Sequence, residues 1–451
     1  MFCEHTEKER ATQLVQNFTH RFNKIFDRIQ ITKQKIIRST GLIAMGQFMH
    51  ASGLLKLLAN KLCDTRSPGK VRFPIAEIVT KIILHILDGD KRISSYGKNP
   101  NLALFAQMFG KEAPHATAIL NALKANKFLK RALDKIILRY ALQNLVAYCQ
   151  SNKIRKIIID TDQSAREIHG RQENVTAGYF ANKPKNTKGF QFRIWSVRGL
   201  KILLKADLMA GSAHSQNGVL AEFKLIMRAL KKAGITGVFA GDSGFFSGEI
   251  CNLIEESGHE FIFAVPQHRT VKRRGKYAKN KRTAQKGKVV IKEGWRAATG
   301  KFKHRFREVY IQVLSNDGQL WFDFAADEFT NVLITNQKQS AENIYKLYRG
   351  HAVIETIIEE LKNDFGTGLA HADLFHVNAA MTSITALAYN LKNCFLDKHR
   401  LFRRGNERVK LSTLQSLWLH IPGALSRSGS RTILRLTPQG YDKFSALQPA
   451  A

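Results

Sequence analysis

Acidic residues are scarce in this chain. Its 451 residues include 36 Asp and Glu against 71 Lys and Arg, so the formal net charge is +35. A positive charge this large favours a polyanionic partner, most simply nucleic acid. A ribosomal or membrane-surface protein can carry a similar charge, but ribosomal proteins are usually shorter and no basic amphipathic helix stands out as a membrane anchor.

Cysteines and long apolar runs are also few. The five cysteines are scattered, with no pair at zinc-ligand spacing, which excludes a zinc motif and indicates reduced thiols in a reducing compartment. The first residues, MFCEHTEKER, lack the apolar core of a signal peptide, and no stretch reaches about eighteen uninterrupted apolar residues. We therefore expect no membrane partner and a cytoplasmic, nucleoid-associated protein.

Apolar residues make up 44% of the chain, enough to bury a large core in two or three domains. They recur at helical spacing through residues 1–150, which predicts a helical N-terminal DNA-binding region. Within it, PHATAILNALKANKFL predicts a short helix after a turn. Two interpretations explain this helix about equally well: it is the second helix of a helix-turn-helix, or its apolar pattern reflects core packing alone.

From residue 154 the pattern changes to short β-branched and aromatic runs, separated in part by helical patterns. This alternation predicts a mixed α/β core whose first part spans residues 151–267. The predicted strands are 154–162, 191–197, 201–209, 237–241 and 260–265, and the predicted helices are 218–232 and 247–257.

Basic side chains dominate residues 269–307. This stretch holds 16 Lys or Arg against a single acid, Glu293, and aromatic residues are interleaved with them. A charge run is usually a solvated face, but this ratio favours a nucleic-acid groove, with Arg273, Arg274 and Trp295 as candidate DNA contacts. Together with a turn at Asn316-Asp317-Gly318, predicted strands make residues 268–335 a β-rich basic insertion. Those strands are 289–291, 308–314, 319–324 and 331–335.

Helical patterns return after the insertion. One helix is predicted from the favourable N-cap Ser340 to Asp364, with a weak point at Gly350, and another over residues 376–396. We assign residues 336–400 to helices of the catalytic core and residues 401–451 to a basic C-terminal region.

Carboxylates stand at the ends of two predicted strands. Asp160 and Asp162 end the run IIIDTDQS and point to the same side, because strand side chains alternate, so periodicity does not choose between them. Asp242 follows another apolar run, at the carboxyl end of a strand, where ligands gather in open α/β sheets. Such acids are also common as solvent-facing strand ends and turn formers. Several carboxylates converging from separate elements are nevertheless what two divalent metal ions require.

A third acidic group lies in the predicted helix after the insertion. On a helical wheel Tyr348, His351, Glu355, Glu359 and Lys362 share an arc of about 80° beside an apolar face. A solvated helix edge can look the same, and the wheel does not prefer Glu355 over Glu359.

These motifs together resemble the bacterial insertion-sequence DDE transposases. The resemblance is carried by GDSGFF and by Tyr348-x2-His351-x3-Glu355-x6-Lys362, where the family's helix signature is Tyr-x2-Arg-x3-Glu-x6-Lys. His351 stands where the signature has Arg; Arg349 lies nearby but is turned about 100° from Tyr348. The stretches HGRQENVTAGYF and LMAGSAHSQNG are also similar to this group.

The resemblance implies an RNase H-like mixed-sheet core, interrupted by the β-rich insertion, and it selects ligands. The family has Thr or Ser two positions after its first Asp, which favours Asp162, followed by Ser164, over Asp160. The family's Glu-x6-Lys spacing selects Glu355. Asp162, Asp242 and Glu355 would hold two Mg²⁺ ions about 3.5–4 Å apart, and Mn²⁺ would substitute for them.

The resemblance also implies an activity. Such enzymes cleave the ends of their own insertion sequence and join the 3′ ends to target DNA, acting as homodimers on paired ends. Tyr348, Arg349, His351 and Lys362 would contact phosphates near the cleaved end, and Trp295 would stack a flipped base.

Three other interpretations stay open. The chain could be a catalytically decayed transposase that acts as a DNA-binding repressor, another RNase H-like nuclease, or a structural nucleic-acid protein. The presence of all three carboxylates and of Lys362 counts against decay, although His351 departs from the signature. A nuclease would not explain the Tyr-to-Lys helix signature, and a structural protein would leave the carboxylates to chance.

Overall fold

The computed structural model of the chain describes residues 28–31, 37–110, 112, 114–266, 279–282, 289–313, 331–401 and 409–447. Two sheets form within this part of the chain. Their strands are β1 Arg28–Ile31, β2 Lys156–Glu167, β3 Thr176–Ala177, β4 Lys188–Val197, β5 Ile202–Ala210, β6 Thr236–Gly241, β7 Glu260–Ala264, β8 Lys279–Arg282, β9 Val289–Arg296, β10 Phe306–Val313, β11 Asn331–Thr335, β12 Gly423–Ser428 and β13 Arg431–Leu436.

Helices precede, connect and follow the strands. Four short pieces are omitted from the numbering: the 3₁₀ helices Pro68–Lys70, Ile93–Lys98 and Gly350–Ala352, and the π-helical segment Gln415–Leu419. The α-helices are α1 Leu42–Ala51, α2 Leu54–Lys61, α3 Ile75–Asp88, α4 Leu102–Phe109, α5 Ala116–Ala125, α6 Leu129–Ser151, α7 Val219–Lys232, α8 Gly248–Glu256, α9 Ala341–Arg349, α10 Val353–Asn363, α11 Phe375–Lys398, α12 Leu411–Leu414 and α13 Pro438–Ala446.

The large sheet has a mixed core. Its central strands run in the order β5, β4, β2, β6, β7. β2, β6 and β7 are parallel to one another, whereas β4 is antiparallel to β2 and β5 is antiparallel to β4. The amphipathic helices α7 and α8 connect β5 to β6 and β6 to β7. The predicted mixed α/β fold with a helical N-terminal region is confirmed.

The described strands of the predicted insertion extend this same sheet. β11 pairs antiparallel with β7, placing Leu333 opposite Ala264, and β10, β9 and β8 follow in order. The basic segment therefore extends the large sheet beyond β7. The predicted strand at 319–324, the turn at 316–318, Arg273 and Arg274 lie outside the described residues.

The N-terminal helices share one contiguous hydrophobic core with the sheet. Side chains of α1–α6, of the central strands and of α11 belong to a single buried cluster. Helix α11 is buried along nearly its whole length. The helical N-terminal region is therefore packed against the large sheet and α11 in one core.

The C-terminal segment joins this helical region. β13 lies between β1 and β12 in a three-stranded sheet. Backbone N–H groups of Thr40 and Gly41 donate to the carbonyls of Ile421 and Leu419, at 3.0 and 3.1 Å. Residues from both ends of the described chain thus form one unit, which the local sequence pattern did not predict.

In the described residues no single helix has the length and apolar composition to span a membrane. One pair, α1 with α2, meets those two criteria only when taken together, across a bend of 67°.

Two glycine-containing loops meet beside β4. Gly178, in the stretch HGRQENVTAGYF, and Gly211, in LMAGSAHSQNG, approach so closely that a Cβ on Gly178 would lie 1.8 Å from the Gly211 carbonyl oxygen. Gln191 of β4 fastens both loops, since its Nε2 donates to the carbonyls of Tyr179 at 2.9 Å and of Gly211 at 3.3 Å. These stretches therefore require glycine for backbone packing next to the sheet edge.

Gly178→Ala is expected to lower the free energy of unfolding by about 1–3 kcal/mol or more, because the two backbones must separate. Gly97→Ala is the matched control: nothing lies within 4 Å of a Cβ built there, and a change of about 0.5 kcal/mol or less is expected. Chemical denaturation measures both variants. Equal stability of the two would contradict the close packing.

Candidate active site

Parallel strands bring two of the predicted carboxylates together. β2 and β6 pair in a register that places Thr161 opposite Gly241. The next residues, Asp162 and Asp242, therefore lie side by side at the carboxyl edge of the sheet. The Asp242 turn is fixed by a hydrogen bond from the Gly244 N–H to Asp242 Oδ1 at 2.9 Å.

Glu355 reaches the same place from a helix. It lies in the first turn of α10, and its negative charge is felt at Asp162. Burial raises the pKa of Asp162 to about 6, with the Asp242 charge adding to the effect and the Glu355 charge adding less. The Gln163 N–H, which donates to Asp162 Oδ1 at 2.7 Å, and His351 act in the opposite direction. Asp162 is thus a buried carboxylate whose pKa is raised further by two neighbouring negative charges, which marks a site of crowded negative charge.

The donor set fits divalent cations in chemistry and charge. Three carboxylates from three different elements supply the hard oxygen ligands that Mg²⁺ and Mn²⁺ prefer, and a cation relieves the mutual repulsion that raises the pKa of Asp162. In the part of the chain that the structure describes, no three His, Cys, Asp or Glu side chains already stand at metal-ligand spacing.

Asp160 has different neighbours from Asp162, although both lie on β2. Asp160 is only 2% exposed. Arg198 Nε and Nη2 donate to its two oxygens at 2.8 and 2.5 Å, and His351 Nδ1 lies 2.8 Å from Oδ1. Both Asp160 oxygens are therefore engaged by protein groups, which leaves Asp162 as the carboxylate of this strand that faces Asp242 and Glu355.

The predicted helix is divided at its predicted weak point. Ser340 caps α9 by accepting a hydrogen bond from the Asn343 N–H at 3.3 Å, and α9 ends at Arg349. A 3₁₀ turn over Gly350–Ala352 follows, and α10 begins at Val353.

Two members of the helix signature flank Asp162. Burial and the charges of Asp242 and Asp162 raise the pKa of Tyr348 to about 12, so its hydroxyl remains a proton donor. Burial and the neighbouring Arg166 lower the pKa of Lys362, and Asp162 opposes that shift. A phenolic donor and an ammonium group therefore stand beside the carboxylates.

Other predicted contacts are placed elsewhere. Arg349 is exposed and lies over the Tyr345 ring at 5.9 Å. Glu359 is paired with Lys410 of the C-terminal segment at 3.2 Å. Of the two glutamates that the helical wheel left open, only Glu355 acts on Asp162.

Trp295 lies on β9 at the basic extension of the sheet. It is 54% exposed, and the Arg305 guanidinium lies 4.8 Å from its ring centroid. The adjacent Arg296 guanidinium lies over Phe246 and Phe302, at 5.1 and 4.8 Å. These last three residues line a cavity of about 550 Å³ at the start of α8, a few residues after Asp242.

Sequence reasoning missed two arginines that organise the site. Arg198, just after β4, binds Asp160, and Arg166, on β2, donates to the carbonyls of Lys362 and Thr367 at 2.8 and 2.9 Å. The available signal was Asp160 itself, because a carboxylate inside a buried strand requires a cation or donors nearby. Nothing in the local pattern shows which arginine supplies them.

A mixed α/β core with three carboxylates from separate elements and a basic extension of its sheet suits the chemistry of a polynucleotidyl transferase or nuclease. Residues 28–443 match the family described as Transposase DDE domain group 1, and the chain belongs to this family. It is therefore a DNA transposase, an enzyme class that acts on DNA and uses divalent metal ions.

A search of curated proteins gave no match. Among solved structures, the chain is similar to a piggyBac transposase determined by cryo-EM as a synaptic complex with hairpin DNA. The identity is 12% and the TM-score 0.45, over 91% of this chain and 85% of that one. The family assignment rests on the domain match.

Proposed function

We propose that this transposase cleaves the ends of its own mobile element and joins the resulting 3′ ends to target DNA, using two Mg²⁺ ions held by Asp162, Asp242 and Glu355. The observation that supports this set most directly is the register of β2 and β6, which places Asp162 beside Asp242. Burial raises the pKa of Asp162, and the charges of Asp242 and Glu355 add to that shift. Two such ions, when bound, activate the attacking water or 3′-hydroxyl and stabilise the leaving oxygen.

The chain's own residues would hold the DNA end in this site. Tyr348 remains protonated and can donate a hydrogen bond to a phosphate oxygen. Lys362, whose ammonium group lies 5.6 Å from the Phe192 ring centroid, supplies positive charge close enough to Asp162 for the two charges to interact. Both would position the scissile phosphate, since the carboxylates themselves repel it.

Trp295 is proposed to stack a base that is flipped out of the DNA end. Its ring is exposed and the Arg305 guanidinium lies over it. A flipped base can stack on such an aromatic ring, and the neighbouring positive charge favours binding of its phosphate. Arg349, whose side chain is exposed, is proposed as a further phosphate contact.

We further propose that the enzyme works as a homodimer on paired ends, in the cytoplasm at the nucleoid, and that its element is a bacterial insertion sequence. Mn²⁺ is expected to substitute for Mg²⁺, since both are bound by carboxylate oxygens.

The test uses DNA that carries the sequences flanking the gene, incubated with protein and Mg²⁺ or Mn²⁺. Wild type is expected to cut the ends and join them to a plasmid, and Asp242→Ala is expected to bind the ends but do neither. Gel assays of cleavage and joining measure both steps. Tight binding without cutting by either protein would favour the decayed, DNA-binding repressor instead, and cutting without joining would favour a nuclease.

A further inference from the structure

The break between α9 and α10 is occupied by an arginine from the sheet. Arg198 Nη1 donates to the Leu347 carbonyl, in the last turn of α9, at 2.5 Å. A Cβ on Gly350 would lie 2.6 Å from the same nitrogen. The missing side chain at Gly350 therefore lets the guanidinium that holds Asp160 also reach the helix.

His351 makes a second link between the helix break and β2. Its Nδ1 contacts Asp160 Oδ1 at 2.8 Å, and its side chain is only 11% exposed. The Tyr348 ring stacks on it, with centroids 5.9 Å apart. Because His351 lies in the 3₁₀ turn that leads directly into α10, and Glu355 lies in the first turn of that helix, fixing His351 fixes the orientation of Glu355.

The far end of α10 is held by the same strand. Arg166, also on β2, donates to the carbonyls of Lys362 and Thr367. Six residues of strand from Asp160 to Arg166 span about 20 Å, and eleven residues of helix from His351 to Lys362 span about 16 Å. The two lengths differ by about 4 Å, a gap that the long Arg166 side chain bridges, so α10 is anchored to β2 on both sides of Asp162.

We infer that His351 is a positioning residue: through its contact with Asp160 it sets Glu355 against Asp162 and Asp242, and it does not bind a DNA phosphate as its place in the helix signature implies. The inference rests on the proposed metal-binding role of those carboxylates. A nearly buried ring whose Nδ1 is bound to a buried aspartate has little surface left to offer DNA.

The first experiment measures Mn²⁺ binding to DNA-free protein by electron paramagnetic resonance. His351→Ala is expected to weaken Mn²⁺ binding about 10- to 100-fold, as for other residues that orient metal ligands. His351→Asn, whose amide can donate from nearly the same place as Nδ1, is expected to recover most of the loss. His169→Ala is the histidine control, since the His169 side chain is 86% exposed, and should bind as wild type does.

Asp160→Asn provides a second variant in case His351→Ala does not fold. It is expected to weaken Mn²⁺ binding by a similar factor, and adding His351→Ala should weaken it little further, because both changes act through one contact. Wild-type-like Mn²⁺ affinity in His351→Ala and Asp160→Asn would overturn the inference.

The second experiment measures the salt dependence of end-DNA binding in EDTA. A positioning residue leaves the affinity and its salt slope unchanged in His351→Ala, whereas loss of a phosphate contact lowers the slope by about 1. A fall of that size would overturn the inference and make His351 a DNA contact. Glu355→Gln separates the two proposals: if it binds Mn²⁺ as wild type does, the proposed metal site itself is wrong and the inference falls with it.

Discussion

Glu355→Gln is expected to lower the rate of DNA-end cleavage at least about a thousandfold. A carboxylate ligand contributes to transition-state charge stabilisation worth several kcal/mol, and each 1.4 kcal/mol changes the rate about tenfold. The change keeps the size of the side chain and removes only its charge. Single-turnover cleavage of end DNA in Mg²⁺ measures the effect, with DNA affinity measured separately.

Glu359→Gln is the matched control for this variant, one turn further along α10. Glu359 is 55% exposed and pairs with Lys410, away from Asp162. Its rate is expected to stay within about twofold of wild type, as for surface changes that touch no site residue. Cleavage by Glu355→Gln at the wild-type rate would remove Glu355 from the site, and loss of activity in Glu359→Gln alone would place Glu359 there instead.

Lys392→Met is expected to lower the free energy of unfolding by about 3–5 kcal/mol, because it leaves a buried charge without its partner. Lys392 on α11 is 1% exposed, and its Nζ lies 2.6 Å from Glu360 Oε1 and 3.2 Å from the Val409 carbonyl. The Leu411 N–H donates to the same Glu360 oxygen at 2.8 Å. Chemical denaturation at constant pH gives the difference from wild type.

Lys410→Met is the matched control, because it removes an exposed ion pair with α10 next to the buried one. Lys410 pairs with Glu359, and the two side chains are 53% and 55% exposed, so its loss is expected to cost less than about 1 kcal/mol. If both lysine variants lost the same stability, burial of the Glu360 pair would not be the cause.

Strands with a strong local pattern were predicted closely. The predicted strand 331–335 is β11, and the predicted strand 237–241 differs from β6 by one residue. The weak point at Gly350 was also predicted correctly. Runs of β-branched and aromatic residues, and a glycine inside a helical pattern, are signals contained in the segment itself.

The choice between Asp160 and Asp162 lay beyond such local signals. Period-two alternation makes the two residues equivalent, and only Arg198 and His351, distant in sequence, distinguish them. The helical wheel likewise assumed one continuous helix, whereas the 3₁₀ turn separates the angular positions of Tyr348 and Glu355.

Strand partners were the other property that the sequence did not reveal. The pattern of β11 indicates a strand but not that β7 lies beside it, which is why the insertion was predicted as a feature distinct from the catalytic sheet. The small sheet was missed for the same reason. Its strand β13 pairs with β1, which lies near the other end of the chain, and no local pattern reveals that pairing.

That pairing has a consequence for how the protein is made. Arg28 of β1 lies opposite Ile433 of β13, so the small sheet cannot form until almost all of the intervening chain has left the ribosome. During synthesis β1 is an unpaired edge, which is open to proteases and to pairing with other chains. A nascent chain that stops before residue 431 lacks β13, so β1 has no native partner strand and we expect such a chain to be cut by proteases more readily than the complete one.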